Sequence, residues 1–428
     1  GITYFVFLII PSIDPKQKLQ NMGNKLNNLR MILTLFMSGL AVFILYSVQQ
    51  KSSNPGFVFA IIGLGLWYQL ISNQHFKQRL QTSYLFGLGI LLPTQMWTGI
   101  YVGNLPWLIL CIAQACFFII PAFFVGKAKK FNQITFICSY VIVELTLRTL
   151  PFTGFGWSRL AFSQVDSPLS SAYPLLGVAA VALFLAWFAT VRNLKAFLYP
   201  VLIIICANLI PNPVIFDGSI RIALVQGGVV NLGLNFNDKP KEVFLRHLTQ
   251  TQNSILPNQV DLIVWPENAV DVDIFKNNDV MQAITDLSLE LNTPILIGGV
   301  TNSPNPRNQS MLFDPNLKQV YTKRYLTPFG EYLPLRPLAE KLSPYAKQIN
   351  DFDAGSSPVV FRINNNEFRT LICYELLDDR FSVENNMDFL LIQTNNATFG
   401  DTAQLDQQLN IGQVRAAESS RNIGYVST

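Results

Sequence analysis

Acidic residues are almost missing from the first half of this chain. Residues 1–213 hold 14 of the 31 lysines and arginines but only three acids, Asp14, Glu144 and Asp166. The remainder carries 17 basic and 24 acidic residues, so the modest formal charge of +4 conceals a basic, apolar half joined to a mildly acidic one. Charged residues make up 14% of the chain and apolar ones 50%, a composition that excludes an intrinsically disordered protein. The positive charge lies in short runs between apolar segments, without a basic face interleaved with aromatics, which argues against a nucleic-acid partner. Histidine is scarce too: His75 and His247 stand far apart. The five cysteines, at 111, 116, 138, 206 and 373, show neither CxxC nor Cys/His spacing, which argues against a zinc site and a disulfide framework. No GxGxxG or Walker motif occurs, and the lone glycine pair in VQGGV is a poor phosphate cradle. No metal or cofactor is expected.

What the first half does have is long apolar runs. Seven can be marked, at 31–48, 55–72, 83–101, 105–126, 131–147, 171–190 and 196–213. Most approach the roughly 20 residues that cross a bilayer as a helix. Residues 2–13 are shorter and contain Pro11, and read with the following segment as an amino-terminal cytoplasmic extension over 1–30. If that end is cytoplasmic, the inside segments carry eleven basic residues, among them Lys16, Lys77, Lys127 and Arg192. The outside segments carry Lys51, Arg148 and Arg159. An odd number of spans then delivers residues 214–428 to the outer side, in a bacterium the periplasm, where ATP and soluble acyl carriers are absent. The longest outer loop, 148–170, is rich in Gly, Phe and Trp. It is expected at the membrane interface, with Trp157 helping to hold a lipid.

Beyond residue 219 the periodicity changes. SIRIALVQGGV reads as a strand, KEVFLRHLTQTQNSI as a helix, DLIVWPENA as a strand entering a turn, 275–290 as a helix and TPILIGGV as a strand. QSMLFDPNLKQV and VVFRINNNEFRTLICYELL read as hairpins, turning at Asp314-Pro315-Asn316 and at Asn364–Asn366. FLLIQTNNA is a further strand, 402–418 a helix and RNIGYVS a closing strand. The alternation predicts a largely buried sheet with helical cover.

Three polar residues fall at or just beyond strand ends, where α/β sheets carry their sites. Glu267 follows DLIVWP, Lys323 stands in YTKRYLTPFGEY and Cys373 interrupts LIC. Singly, each has an ordinary structural explanation. Together they make a set for acyl transfer. A thiol is only partly ionised at neutral pH, so a nucleophilic cysteine needs a base or a cation beside it. Glu267 can take the proton, while Lys323 and the backbone N–H of Tyr374 can stabilise an oxyanion. Neither histidine is placed to form a Cys-His pair.

WPEN around Glu267, KxxLxPFGEY from Lys323 to Tyr332, CYE at 373–375, NNATFG from Asn395 and RAAE from Arg415 resemble the nitrilase superfamily. With TGFGW and FSQVDSPL in the loop of the apolar half, the chain resembles more closely the apolipoprotein N-acyltransferase family of Gram-negative bacteria. The resemblance implies a helical transmembrane domain over 31–213 and an α/β nitrilase-like αββα sandwich over 214–428. It implies Cys373 as nucleophile, Glu267 as general base and Lys323 as the third catalytic member. Glu331 and Glu375 become supporting acids, Tyr374 and Tyr332 neighbours of the pocket, and Phe329, Phe399, Asn396 and Trp157 candidates for lipid or substrate contact. Two positions depart from the family pattern: Thr398 where the family usually has Trp, and Gly156 where it often has Pro. The family also continues beyond a strand such as RNIGYVS, so the chain is expected to be truncated at its carboxyl end.

The resemblance further implies ping-pong transfer of an acyl chain from a membrane glycerophospholipid to the amino-terminal amine of a diacylglyceryl-cysteine lipoprotein, by a monomer in the inner membrane. The proline-rich apolar stretch 326–345 is expected to form an arm or lid exposing Leu326, Phe329, Leu333, Leu335, Leu338 and Leu342. The alternatives are a membrane-tethered amidase or lipid hydrolase, in which water resolves the acyl-enzyme, and a catalytically inactive membrane scaffold.

Overall fold

The computed structural model describes residues 24–25, 27–29, 31–40, 56–100, 103–127, 129–210, 220–233, 237–302, 304–342, 346–347, 350–382 and 387–428. Most of the expected extension over 1–30, residues 41–48 of the first apolar stretch and 343–345 of the arm lie outside them. The described parts of all seven apolar stretches are helical: α1 (31–40), α2 (Gly56–Ile71), α3 (Phe76–Thr94), α4 (Asn104–Ala115) continuing through a 3-10 turn into α5 (Ile120–Phe124), α6 (Asn132–Thr149), α7 (Tyr173–Thr190) and α8 (Leu194–Leu209). Helix α3 begins seven residues before the stretch expected at 83–101. Its first turns hold Lys77 and Arg79, which hydropathy alone reads as loop. Arg79 is buried there because its guanidinium donates to the Val125 carbonyl just after α5.

The outward faces of these helices are apolar. On α4, Leu105, Leu108, Ile109 and Ile112 are exposed at helical spacing, and on α8 so are Leu198, Leu202, Ile205 and Leu209. Water would not tolerate so continuous an apolar surface, whereas a bilayer matches it. The segments Asn104–Phe124 and Pro168–Thr190 are also long and apolar enough to span. Inside the bundle Trp67 stacks on Phe86 at 4.6 Å, meets Phe136 edge-on and donates from Nε1 to Ser83 Oγ at 3.0 Å.

The second half is a four-layer αββα sandwich. Its first sheet has the order β1 (Ile222–Leu224), β2 (Leu262–Val264), β3 (Ile295–Asn302), β4 (Pro306–Phe313) and β5 (Leu317–Thr322). Strands β1 to β3 are parallel, and β4 and β5 return antiparallel. The second sheet runs β6 (Phe361–Ile363), β7 (Asn366–Ile372), β8 (Phe389–Thr394) and β9 (Ile423–Ser427), parallel from β7 onward. Helices α9 (Glu242–Ser254) and α10 (Asn278–Leu291) cover the outer face of the first sheet. Between the sheets, Leu262, Val264 and Leu296 meet Phe361, Phe368 and Leu391. Short helices α11 (Arg336–Leu342) and α12 (Asp379–Ser382) lie in connections. Helix α13 (Gln404–Ser419) covers the second sheet and packs against α7, so it is shared between the two halves. The two β-hairpins extend two separate sheets that bury each other's faces, the αββα arrangement that the resemblance implied.

The 148–170 loop differs from the expected interfacial position. It is a chain of buried 3-10 turns, including Gly156–Ser158 and Leu160–Gln164, wedged between the helices and the sandwich. Trp157 is 3% exposed, lies against Trp97 and Phe155, and donates from Nε1 to Gln407 Oε1 on α13 at 2.6 Å. Its place is the joint between the halves rather than the membrane surface, since its indole N–H finds a buried amide partner.

Candidate active site

Strands β2, β5, β7 and β8 end at the same edge of the sandwich. A β5 that reverses twice relative to β3 regains the direction of β2, so Glu267 and Lys323 leave their strands on one side. Cys373 follows β7, and Asn395 follows β8. Asn308, near the start of the antiparallel β4, reaches the same edge.

Lys323 is 1% exposed and its ammonium lies 2.8 Å from Glu331 Oε2 and 3.8 Å from Glu267 Oε1. The Asn308 amide donates from Nδ2 to both acids, at 2.7 Å to Glu267 Oε1 and 2.9 Å to Glu331 Oε1. Glu267 Oε2 accepts the Asn395 backbone N–H at 2.8 Å, and Glu331 Oε2 that of Thr327 at 2.8 Å. Burial would lower the Lys323 pKa, but Glu331 and Glu267 outweigh it and keep the ammonium charged. Burial lifts Glu267 above the usual carboxylate range against the opposing pull of Lys323. The shorter ion pair thus commits the cation to Glu331 and leaves Glu267 able to take a proton. Gly298 on β3 permits this crowding: a Cβ there would lie 2.4 Å from the Pro266 carbonyl oxygen and 2.7 Å from Glu267 Cα.

Cys373 opens a 3-10 turn directly after β7 with φ +49°, the left-handed region that a non-glycine residue seldom adopts. The turn points its sulfur at the acids. Gln408 Nε2 lies 3.7 Å from Sγ. Burial, with Glu267 adding to it and Lys323 opposing, pushes the thiol pKa up to about 12. The resting sulfur is therefore a thiol, although the residue keeps some exposed surface, and its activation requires a base.

Glu375, fully buried, has a different task from Glu331. Its Oε1 accepts from Tyr321 Oη at 2.7 Å and from the backbone N–H groups of Arg324 and Tyr325, while Oε2 accepts from the Ile372 N–H at 2.8 Å. It ties the turn that carries Lys323 to the turn that carries Cys373, through backbone rather than through the ammonium. Tyr374 stacks on Tyr325 and Phe155 and donates to the Gly154 carbonyl at 2.8 Å. Tyr332 Oη is 3.4 Å from Thr153 Oγ1. Both tyrosines fasten the site to the TGFGW loop.

The residues expected at lipid divide. Phe329 is 53% exposed beside the exposed Leu335 and Leu338, while Leu333 is buried. Phe399 packs edge-on against Trp97 at 4.8 Å. Asn396 is buried: its Nδ2 donates to Tyr425 Oη and its Oδ1 accepts from Gln404, so it belongs to an amide network and not to a lipid surface. Asn308, Gln393 and Gln408 escaped the sequence reading. Gln393 donates to the Trp265 carbonyl at 2.6 Å and accepts from Ser310 and Thr370, clamping the sheets beneath the site. Asn308 and Gln393 left a signal as polar runs, RNQS and IQTNN, inside or at the end of otherwise apolar strands, whereas Gln408 on α13 left none. Among the described residues no group of three or more His, Cys, Asp and Glu is arranged to hold a metal ion.

Comparison with known proteins agrees with this division. Residues 32–191 match the family of the apolipoprotein N-acyltransferase N-terminal domain, and residues 221–421 match the carbon-nitrogen hydrolase family. An apolipoprotein N-acyltransferase of Mycolicibacterium smegmatis is 29% identical over 397 residues, covering 80% of this chain and 66% of that protein. One from Wigglesworthia glossinidia brevipalpis is 27% identical over 340 residues, covering 73% and 67%. The match to the first thus spans slightly under two thirds of its length. Among solved structures, a CN-hydrolase superfamily protein from Xanthomonas campestris aligns with TM-score 0.36 at 19% identity, over 49% of this chain and 76% of that one. The chain belongs to the apolipoprotein N-acyltransferase family, with a nitrilase-type carbon-nitrogen hydrolase fold as its second half.

Proposed function

We propose that this protein moves an acyl chain from a membrane glycerophospholipid to the amino-terminal amine of a diacylglyceryl-cysteine lipoprotein, through a thioester on Cys373. The observation that carries the reading is the meeting of Glu267, Lys323 and Cys373 at one edge of the sandwich, above helices whose outward faces are apolar. In the first half-reaction Glu267 takes the thiol proton as Sγ attacks the ester carbonyl. The tetrahedral oxyanion is stabilised by Lys323 and the Tyr374 N–H. The C–O bond breaks, and the lysophospholipid alcohol leaves with the proton that Glu267 returns. In the second, Glu267 takes a proton from the amine as its nitrogen attacks the thioester. The C–S bond breaks, and the proton passes to the sulfur. A thioester is reactive enough to acylate an amine, so no nucleoside triphosphate is required.

On this reading residues 31–213 form a multi-pass domain in the inner membrane, and 214–428 the catalytic domain on its periplasmic side, as the loop charges indicate. The exposed Phe329, Leu335 and Leu338 dip from the arm into the bilayer and admit acyl chains.

The test is intact-mass spectrometry of the purified protein after incubation with phospholipid vesicles. An acyl mass on Cys373, discharged by a diacylglyceryl peptide, is expected. Steady release of free fatty acid without an amine acceptor would identify a hydrolase instead. Unchanged peptide acylation by Cys373→Ala would remove the nucleophile from the scheme.

A further inference from the structure

We propose that Gln408 is a further catalytic residue, whose side-chain amide donates to the Cys373 sulfur and stabilises it as a thiolate when the nucleophile forms and when it is released. The inference rests on the reading of Cys373 as nucleophile and adds a donor that none of the sequence motifs contains.

The geometry fixes which end of the amide meets the sulfur. Gln408 is buried on α13, with Nε2 3.7 Å from Sγ. Its Oε1 lies 3.0 Å from Gln404 Nε2, 3.0 Å from Tyr425 Oη and 3.1 Å from Thr394 Oγ1. Each neighbour has a proton to give. Gln404 Nε2 carries two, one for Asn396 Oδ1 at 3.1 Å and one for Gln408. Tyr425 accepts from Asn396 Nδ2 at 3.2 Å, so its own proton points on to Gln408. An amide oxygen can only accept, and Gln404 and Tyr425 both donate to this one, with the Thr394 hydroxyl, shared with Asn396 Oδ1 at 3.2 Å, in reach as well. Exchanging O and N would set Nε2 against two of the donors and turn an oxygen toward the nucleophile. The network therefore holds an N–H toward Sγ and polarises it.

The contact is weak in the resting state, because a neutral thiol is a poor acceptor. Against a thiolate it becomes charge-assisted and strengthens. A contact that gains strength as charge develops lowers the barrier rather than merely binding substrate. The other groups acting on the sulfur are Glu267 after β2, Lys323 after β5, the Thr394 hydroxyl at the end of β8, Glu331 on the arm and Tyr425 on β9. Of these Lys323 is the single cation, and its shortest ion pair is to Glu331.

The full-length protein in detergent tests this with two readouts. One is the pH profile of iodoacetamide alkylation at Cys373, read by peptide mass. The other is the rate of acyl-enzyme formation from phospholipid vesicles. Gln408→Leu should move the alkylation midpoint upward and slow both reactions roughly 10- to 100-fold at neutral pH, the range of a hydrogen bond to a charged group. Gln408→Glu, nearly isosteric, should slow them at least as much and serves if the leucine variant does not fold. Tyr425→Phe, which loosens the amide but keeps its N–H, should give a smaller shift. A folded Gln408→Glu protein with the wild-type alkylation profile and acylation rate would overturn the proposal and leave Cys373 as nucleophile. Acylation that persists in Cys373→Ala would instead overturn the reading beneath it.

Discussion

Burial acts on the three glutamates around Cys373 with three different results. Glu331 is held by Lys323 at 2.8 Å, Glu375 is saturated by a hydroxyl and backbone donors, and Glu267 keeps the longer contact at 3.8 Å. Glu267 must be ionised to take the thiol proton, and burial raises its pKa, so acyl-enzyme formation should fall as pH drops through a value above the roughly 4.3 of an exposed glutamate. A rate profile whose acid limb lies at or below that value would contradict the assignment. Replacing Glu331 by Gln removes the competitor for the ammonium, which then neutralises the base. A loss of roughly 10²-fold in acylation rate is expected without loss of folding, measured by single-turnover mass shift and thermal unfolding. Glu267, Lys323 and Cys373 were legible in the sequence because each closes a recognisable strand. Gln408 was not: an amide on a polar helix becomes informative only when the groups that orient it have folded around it.

At the scale of elements, the TGFGW loop is the hinge point of the construction. Gly154 has φ +73°, and a Cβ there would stand 2.1 Å from the Arg148 carbonyl carbon. Its carbonyl is what the hydroxyl of Tyr374, the residue after Cys373, holds. Gly154→Ala should therefore cost more than the ~1–2 kcal/mol of left-handed strain alone and displace the turn that carries Cys373. Tyr374→Phe should cost only about 1 kcal/mol. Unfolding in detergent, with the acylation rate, ranks the two, and an equal effect would show that the loop yields. The loop's aromatic character suggested an outward face. Gln407 and Asn410 on α13 and Tyr325, Tyr332 and Tyr374 of the sandwich turned it inward, a decision that local composition cannot record.

For the whole molecule, one carboxylate joins the halves. Asp379, six residues after Cys373, receives Arg148 at 2.8 Å and Arg159 at 2.8 Å from the helical half and Arg415 at 2.9 Å from α13. Arg415 also donates to the Leu376 carbonyl in the Cys373 turn, and Glu418 accepts the Val178 N–H where α7 breaks at Gly177. Asp379→Asn removes the carboxylate that three guanidiniums share, leaving Glu144 beside Arg159 and Glu418 beside Arg415, and should lower stability by roughly 3 kcal/mol. Burial opposes ionisation of Asp379, but the arginines prevail and hold it well below the usual range. Its folded pKa is depressed, so its contribution is complete above the unfolded value of about 3.9 and is lost as pH falls toward the folded one. Acid titration of thermal stability should show that loss in the wild type and a flatter curve in Asp379→Asn. Arg148 and Arg159 had been counted in the sequence as outer-loop charges; here they are the ties to the sandwich.

Apolar helices in one half, strands alternating with helices in the other, the order of the strands along the chain and the candidacy of Glu267, Lys323 and Cys373 were all legible in the sequence. These follow from hydropathy, periodicity and residue chemistry, which are properties of short segments. The folded chain alone settles that Trp157 and Asn396 face inward and that Lys323 sits closer to Glu331 than to Glu267. Those outcomes depend on which distant groups meet, and a buried polar atom takes its role from the partner that satisfies it.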